Sequence, residues 1–369
     1  MRICGVIASL GAGGAERVMI ELCTAWQARG DDVTLLTLDD GQQDFYPVPG
    51  GARRIALDLA SRSASTAGAI RANVSRMREL RRAIRDARAD VVVSFTDRTN
   101  VLVLMAARGL SVPVIVSERI DPRRHDIGSA WSMMRRFVYP SASALVLQTE
   151  AVRPWAEALV APTRVSVIPN PVRAVTTLNA PAGQRTCEIV AMGRLVAQKG
   201  FDVLIQAFAT LAAEFPEWGV VIHGDGPDRT SLESRVAGLG LTSRISLPGR
   251  TATPDAALAA ATVFALPSRY EGFPNVLLEA MAHGCACVAT NCDSGPADLI
   301  AHDRNGLLTP VNDVLSLAHS LSTLMDDATL RTRLGLAATA VQQRFAVSRI
   351  VSAWDDVIRR VRVGERMAA

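Results

Sequence analysis

The stretch Arg269–Gly284, RYEGFPNVLLEAMAHG, indicates a strand end, a turn and a helix. It follows the apolar run Val263–Leu266, which predicts a buried strand, and it places Glu271 in the turn. Pro274 opens the helix, where proline loses nothing because an N–H at that position has no intrahelical partner. The glycine at the end of the stretch predicts a left-handed residue that terminates the helix.

The helix of this stretch carries a second acid. Asn275 and Glu279 are four residues apart and lie one above the other on one helical face. The free N–H groups and the positive dipole end of a helix suit a phosphate. Because carboxylates do not bind phosphate, Glu271 and Glu279 are expected to hold a group attached to it, such as sugar hydroxyls. The pattern outlines a nucleotide-sugar site; the alternative is two acids on a solvated helix surface.

The sequence E-G-F-P-N-V-L-L-E-A, with seven residues between its glutamates, resembles the signature of the retaining glycosyltransferases of family 4. The stretches Ser9–Arg17, Pro169–Pro171 and Gly193–Gly200 extend the resemblance over most of the chain. The resemblance implies the GT-B fold, an α/β architecture of two Rossmann-like, doubly wound domains facing across a cleft. It also implies front-face transfer that requires no metal and no other cofactor.

A chain of 369 residues exceeds the usual size of one hydrophobic core and predicts two domains. The first, residues 1–171, is expected to bind the acceptor and to include the C-terminal helix 347–369, which returns to it. The second, residues 172–346, is expected to bind the nucleotide sugar. Within it, Asn305–Leu308 predicts a hairpin-like turn.

Composition describes an ordinary globular protein, with 49% hydrophobic residues and a net charge of +4. The six cysteines form no CxxC pair and no metal-binding spacing with histidine, which indicates reduced thiols and a cytoplasmic setting. No uncharged apolar run reaches the length of a membrane-spanning helix. We expect neither a metal ion nor a nucleic acid partner.

Two cations fall five residues apart in the turn G-R-L-V-A-Q-K-G. Arg194 can bind one diphosphate as a fork and Lys199 as a point charge. Solvated side chains are the usual alternative for such a turn, but Lys199 is the only lysine in the chain. Arg194, Lys199 and Glu271 are therefore the expected catalytic residues.

A glycine-rich turn follows the first buried strand, at Gly11–Glu16. Such a turn lets the backbone approach a diphosphate closely. The dinucleotide-binding pattern G-x-G-x-x-G is incomplete here, because Glu16 replaces its third glycine. Asp39 and Asp40 lie where a ribose-binding acid of that alternative would stand. The family resemblance instead implies that the loop closes over the donor phosphates and the acceptor.

The expected contacts divide into two groups. The donor-binding set is Gly13, Gly14, Gly193, Arg194, Lys199, Gly224, Gly272, Phe273, Pro274, Asn275 and Glu279. Polar residues at two later strand ends, Asp97, Glu118 and Arg119, are candidate acceptor or sugar contacts, since open parallel sheets bind ligands at such ends. Many family members have a histidine where Glu118 and Arg119 stand.

A helix predicted at 70–87 has an apolar stripe and an unusually basic remainder. Its basic residues are Arg71, Arg76, Arg78, Arg81, Arg82, Arg85 and Arg88. They are either a solvated helix surface or a surface that contacts anionic lipid, and the two are compatible.

These observations predict a retaining hexosyltransferase that uses a nucleotide sugar, with UDP favoured as the nucleotide. The acceptor is expected to be a lipid-diphosphate-linked or nascent glycan, and the enzyme to lie at the inner face of the cytoplasmic membrane. The resemblance is greatest to bacterial enzymes of exopolysaccharide, O-antigen and N-glycan assembly, including processive N-acetylgalactosaminyltransferases. A nucleotide-sugar epimerase and a non-catalytic nucleotide-binding protein are the alternatives.

Overall fold

The computed structural model of the chain divides into two compact α/β units. Unit 1 consists of Met1–Pro171 with Val347–Ala369, and unit 2 of Val172–Ala346. The structure describes residues 1–59, 66–175 and 186–368, and their side chains outside 66–74 and 364–368.

Unit 1 is built on a seven-stranded parallel sheet with the order β3-β2-β1-β4-β5-β6-β7. Its strands are β1 (Arg2–Ile7), β2 (Asp32–Thr37), β3 (Arg53–Ala56), β4 (Val91–Phe95), β5 (Val114–Ser117), β6 (Ala144–Leu147) and β7 (Val165–Val167). The helices between them are α1 (Gly14–Ala28), α2 (Thr66–Asp86), α3 (Asp97–Ala107), α4 (Ser129–Val138) and α5 (Arg153–Glu157). The central strands are buried on both sides, which explains their nearly continuous apolar sequence.

Unit 2 repeats the design with six parallel strands in the order β10-β9-β8-β11-β12-β13. The strands are β8 (Glu188–Met192), β9 (Gly219–His223), β10 (Ile245–Gly249), β11 (Val263–Leu266), β12 (Ala286–Thr290) and β13 (Leu307–Thr309). The helices are α6 (Phe201–Leu211), α7 (Arg229–Gly238), α8 (Pro254–Ala260), α9 (Asn275–Ala282), α10 (Pro296–Leu299), α11 (Val314–Asp326), α12 (Ala328–Ala338) and α13 (Val341–Arg344). The hairpin-like turn expected at Asn305–Leu308 is wrong, because Leu307 begins β13, which pairs in parallel with β12.

The last helix, α14 (Val347–Ala368), completes unit 1. Trp354 is fully buried and lies 5.6 Å from the ring of Phe95 on β4. Helices α1 and α14 cover one face of the unit 1 sheet, and α2, α3 and α4 cover the other.

Each sheet changes its winding direction at its centre. In unit 1, β1 pairs with β2 on one side and β4 on the other; in unit 2, β8 pairs with β9 and β11. The crevice outside the carboxyl ends of such strands is the usual ligand site of an open α/β sheet. The glycine-rich turn follows β1, and the turns that carry Lys199 and Glu271 follow β8 and β11.

Candidate functional site

The turns at the carboxyl ends of β8, β9, β11 and β12, here called the unit 2 edge, hold the residues with the strongest chemistry. Lys199 ends a short 3₁₀ turn, and Glu271 lies in the loop after β11. The Lys199 Nζ and Glu271 Oε1 atoms are 2.6 Å apart, and Ser268 Oγ donates to the same oxygen at 2.6 Å. Both charged side chains are largely shielded from solvent. The structure thus brings together an ammonium, a carboxylate and a hydroxyl.

Backbone contacts fix the turn that carries Lys199. Gly200 has a left-handed conformation with φ of 64°, and a Cβ there would overlap the carbonyl oxygen of Pro267. Gln198 accepts a bond from the Arg269 backbone N–H at 2.7 Å and donates to the Tyr270 carbonyl at 2.9 Å. Hydrogen bonds within the protein therefore join the turns after β8 and β11, and these bonds require no ligand.

Arg194 differs from Lys199 in its environment. It is exposed, and its guanidinium forms no ion pair or hydrogen bond with any residue that the structure describes. The turn that carries Arg194 is fixed by the next residue: Leu195 is fully buried, and the Leu195 N–H donates to the Asp225 carbonyl at 2.9 Å. A positioned backbone with a free guanidinium can bind an incoming anion without first breaking a protein contact.

The turn after β9 contacts that of Arg194 at very short range. Gly224 has φ of 150°, and a Cβ at this position would overlap the carbonyl oxygen of Gly193. A Cβ on Gly226 would likewise overlap the carbonyl oxygen of Leu195. Glycine is required here because two backbones meet, which is a structural role for Gly224 that exists without any ligand.

The loop that opens α9 is buried, as Glu271, Gly272, Phe273 and Pro274 all are. Phe273 packs 5.7 Å from the ring of Phe345. Asn275 and Glu279 on α9 are half-buried. The loop thus has a rigid base, and its two half-buried polar side chains share one face of the helix.

Two serines of the unit 2 edge were not predicted from the sequence. Ser268 donates to the Glu271 carboxylate, and Ser294 Oγ donates to the Glu271 carbonyl at 2.6 Å. Gly295, with φ of 99°, would place a Cβ 2.8 Å from Pro274 Cδ. Only their positions could have indicated a role for these serines, because Ser268 follows β11 and Ser294 follows β12, at the sheet edge where open α/β sheets usually bind ligands.

The corresponding region of unit 1, here called the unit 1 edge, comprises the glycine-rich turn and the ends of β4, β5 and β6. Gly14 is the first residue of α1, and Gly13 precedes it in extended conformation. The Glu16 carboxylate lies over Gly13, close to where a Cβ would stand. Burial raises the pKa of Glu16, which a hydrogen bond from its own N–H partly offsets.

The three candidate acceptor contacts occupy different environments. Asp97 begins α3, and its carboxylate lies 3.4 Å from His125 Nε2. Arg119 stacks 4.3 Å above the Phe95 ring and donates to Asn170, and burial lowers its pKa to about 9. Arg119 is thus held against the sheet with part of its surface exposed.

Glu118 is deeply buried, with 2% of its surface exposed. Tyr139 donates a hydrogen bond of 2.5 Å to Glu118 Oε1, and Arg135 Nη1 lies 3.7 Å from the same oxygen. Burial raises the pKa of Glu118 to about 7. Because Glu118 is this deeply buried, it can affect a ligand by supporting neighbouring side chains rather than by contacting the ligand.

Several polar atoms at the ends of β4, β5 and β6, or on the helices beside them, are buried without a hydrogen-bond partner among the described residues. They are Ser94 Oγ, Asn100 Oδ1, Glu118 Oε2, Arg119 Nε, Arg135 Nη1 and Thr149 Oγ1. Unsatisfied buried groups destabilise a fold and concentrate where another role requires them. The described residues contain no cluster of three or more His, Cys, Asp or Glu side chains suited to a metal ion.

Two family descriptions match the sequence, one in each unit. "Glycosyl transferase 4-like domain" matches residues 13–171, and "Glycosyl transferases group 1" matches residues 182–341. The chain belongs to this family of glycosyltransferases. The enzyme class and the family predicted from the sequence are confirmed.

Two relatives illustrate the family. An α-1,4-N-acetyl-D-galactosaminyltransferase of Campylobacter jejuni is 28% identical over 364 residues, which make up 98% of this chain and 99% of that protein. An exopolysaccharide phosphotransferase of Streptomyces coelicolor is 34% identical over 283 residues, 76% of this chain but 29% of that protein. Relatives of this glycosyltransferase thus belong to bacterial glycan and polysaccharide synthesis.

A solved structure supports the fold. The Anabaena protein HepE in complex with UDP-glucose superposes with a TM-score of 0.79 at 20% identity, covering 97% of this chain and 99% of that chain. The two Rossmann-like units and this likeness confirm the GT-B fold. None of the described helices is long and apolar enough to cross a bilayer.

Proposed function

We propose that this glycosyltransferase moves a hexose or N-acetylhexosamine from a UDP-linked sugar to a lipid-diphosphate-linked or nascent glycan, with retention of anomeric configuration. The observation that carries the proposal is the Lys199–Glu271 pair at the unit 2 edge, which also carries the exposed Arg194. The Campylobacter relative is named for a saccharide linked through PP to undecaprenol, and HepE was solved with UDP-glucose. Both names support the choice of substrates.

The reaction would break the bond between the anomeric carbon and the diphosphate and form a bond to the acceptor oxygen. Negative charge grows on the departing diphosphate, and its oxygen on the same face would take the proton that the acceptor hydroxyl gives up. Arg194 and Lys199 would stabilise that charge, which is usually the largest catalytic contribution in a preorganised site. Glu271 would orient Lys199 and contact the donor sugar.

The remaining donor contacts would come from the backbone and from α9. Glu279 would bind the ribose hydroxyls, with Asn275 on the same helical face. The close approaches at Gly193, Gly224 and Gly272 would exclude water and shape the site. In unit 1, the N-terminus of α1 at Gly13 and Gly14 suits a phosphate.

Acceptor binding is assigned to unit 1, through Asp97 and Arg119 with Glu118 beneath them. The proposed location is the cytoplasmic face of the membrane, where α2 would meet anionic lipid. Four arginines on α2 or just after its end are exposed: Arg78, Arg82, Arg85 and Arg88. Arg81 has a structural role instead, since it donates to the Ala106 carbonyl at 2.8 Å.

The test is a panel of UDP- and GDP-sugars, measured by thermal stabilisation and by slow release of the nucleotide, with and without EDTA. Preferential stabilisation by one UDP-sugar, with EDTA-resistant release of UDP, is the expected result. NMR of the glycosidic product then reads the anomeric configuration directly. Release of an altered free sugar without an acceptor would indicate an epimerase and overturn the proposal. Stabilisation by a nicotinamide dinucleotide alone would do the same.

A further inference from the structure

Helix α4 carries large apolar side chains on both its inner and its outer face. Trp131, Met134 and Val138 pack inward against the core under α3. Met133 and Phe137 point outward and are 58% and 78% exposed. A helix that only covers a sheet has a polar outer face, so this pattern requires a different explanation.

The exposed side chains of α4 form a group, here called the α4 face, which consists of Met133, Arg136 and Phe137. Their spacing of three and four residues places them on one stripe of the helix. Other strongly exposed apolar side chains of the described chain, such as Leu315 on α11 and Leu336 on α12, come from separate helices. Single exposed apolar residues are ordinary, whereas clustered ones mark an interaction surface.

Charge identifies the partner of this surface. No Asp or Glu occurs between Gly128 and Thr149, and Arg136 is exposed within the α4 face. Helices α2 and α3 lie on the same side of the sheet and add exposed arginines: Arg82 and Arg85, which share the exposed Asp86 at 3.5 Å, and Arg108 just after α3. A symmetric contact between two copies of the α4 face would cover two Arg136 side chains where α4 offers no Asp or Glu to pair with them, which is unfavourable.

We propose that the α4 face inserts into the interface of an anionic bilayer, with the arginines of α2 and α3 contacting the headgroups. Aromatic and methionine side chains beside arginine are the composition of interfacial helices. This inference goes beyond the proposed transfer reaction, since α2 alone offers electrostatic attraction, whereas α4 adds apolar burial. Membrane binding would therefore depend on Phe137 and Met133 even where the arginines are unchanged.

The experiment measures co-sedimentation of the full chain with vesicles of phosphatidylcholine, alone or mixed equally with phosphatidylglycerol. The Met133→Gln/Phe137→Gln variant is expected to lose about tenfold or more in partition onto the mixed vesicles. The matched control, Leu315→Gln/Leu336→Gln, removes two equally exposed apolar side chains elsewhere and should bind as the parent does. Phe137→Trp should bind at least as tightly, because tryptophan favours membrane interfaces.

Arg136→Gln should reduce binding by about fivefold and weaken its salt dependence. Unchanged binding of the Met133→Gln/Phe137→Gln variant, equal loss in the control, or equal binding to neutral vesicles would overturn the proposal. So would a concentration-dependent dimer that dissociates in this variant, because a second copy would then cover the α4 face. Nucleotide release without vesicles separates this result from the transfer reaction, and the α4 variants should leave that release unchanged.

Discussion

At the unit 2 edge, the buried Glu271 carboxylate is satisfied within the protein by Lys199 and Ser268, while the Arg194 guanidinium stays exposed. At the unit 1 edge, several buried polar atoms have no hydrogen-bond partner among the described residues, and burial favours the neutral form of Glu118. The Glu271 carboxylate at the first edge is thus held in place by protein contacts, whereas the second edge contains buried polar groups that lack such contacts. A site that stabilises a departing diphosphate gains from preorganisation, whereas buried unsatisfied groups lower stability and concentrate where another role requires them.

Replacing Lys199 by methionine is expected to give the largest effect. The proposed stabilisation of the departing diphosphate would be lost, so turnover should fall about 10³-fold. Steady-state release of UDP from the preferred donor, with acceptor present, measures it. The matched control is Arg333→Met, which removes the cation of an exposed ion pair with Asp303 and should leave turnover unchanged.

Removing Lys199 also leaves the Glu271 carboxylate buried without its partner, which destabilises a fold. The Lys199→Met/Glu271→Gln double variant separates the two effects, because it removes both charges together. Thermal stability should then recover while turnover stays low. Recovery of both would show that the pair is structural and that the unit 2 edge is no more specialised than the unit 1 edge.

Gly224→Ala tests the backbone contact beneath Arg194. The substitution places a Cβ onto the Gly193 carbonyl at a φ of 150°, so we expect a loss of about 3 kcal/mol in unfolding free energy. Chemical denaturation of unit 2 measures the change. Gly238→Ala is the control, because a Cβ there meets open space at the end of α7 and should be neutral or slightly stabilising. A mild Gly224→Ala would mean that this turn can relax.

Glu118→Gln tests the unit 1 edge through pH. The folded-state pKa of about 7 lies above the ordinary value of 4.5, so the stabilisation from this group is complete below about pH 4.5 and disappears as the pH rises through 7. The amide removes this dependence and should stabilise unit 1 by about 2 kcal/mol at pH 8. Melting temperatures of variant and parent between pH 5 and pH 8 measure the difference. A constant difference across that range would contradict the buried titration.

Glu150→Gln tests a pH dependence of stability in the opposite direction. Hydrogen bonding to Arg153 lowers the pKa of Glu150, so its stabilisation is present above the unfolded-state value and is lost as the pH falls. This carboxylate is exposed, so the effect should be small.

The sequence predicted most of this architecture because buried parallel strands leave continuous apolar runs, as β1 and β4 do. It missed β3 and β13, each of which is the outermost strand at one end of its sheet. Their runs of four and three residues are too short, and in β3 too polar, to stand out from a loop. Edge strands are identified by the neighbour that they pair with, which sequence periodicity does not contain.

The candidate site divides along the same line. Lys199 and Glu271 were predicted from local motifs, and the structure places their side chains in contact. Ser268 was missed because a serine after a strand has no distinguishing pattern until its oxygen partner is known. The burial of Glu118 was also beyond the sequence, since it depends on Tyr139 and Arg135 arriving from another helical segment. The sequence reveals ligand-binding motifs but not the residues that hold them.

Gly13→Ala completes the comparison with Gly224 and should have the smallest effect on stability. Its φ of −119° suits any residue, and the added Cβ meets only the Glu16 carboxylate, the movable end of a flexible side chain. We expect a change in unfolding free energy within about 1 kcal/mol. If Gly13 is present so that a phosphate can approach the backbone, kcat/KM for the donor should nevertheless fall about tenfold. A stability loss as large as that of Gly224→Ala would show that both glycines are architectural, and the contrast between a rigid and an adaptable edge would fail. Unchanged stability together with unchanged kcat/KM would instead remove Gly13 from the donor site and leave Gly14 as the residue of the glycine-rich turn expected to contact the donor.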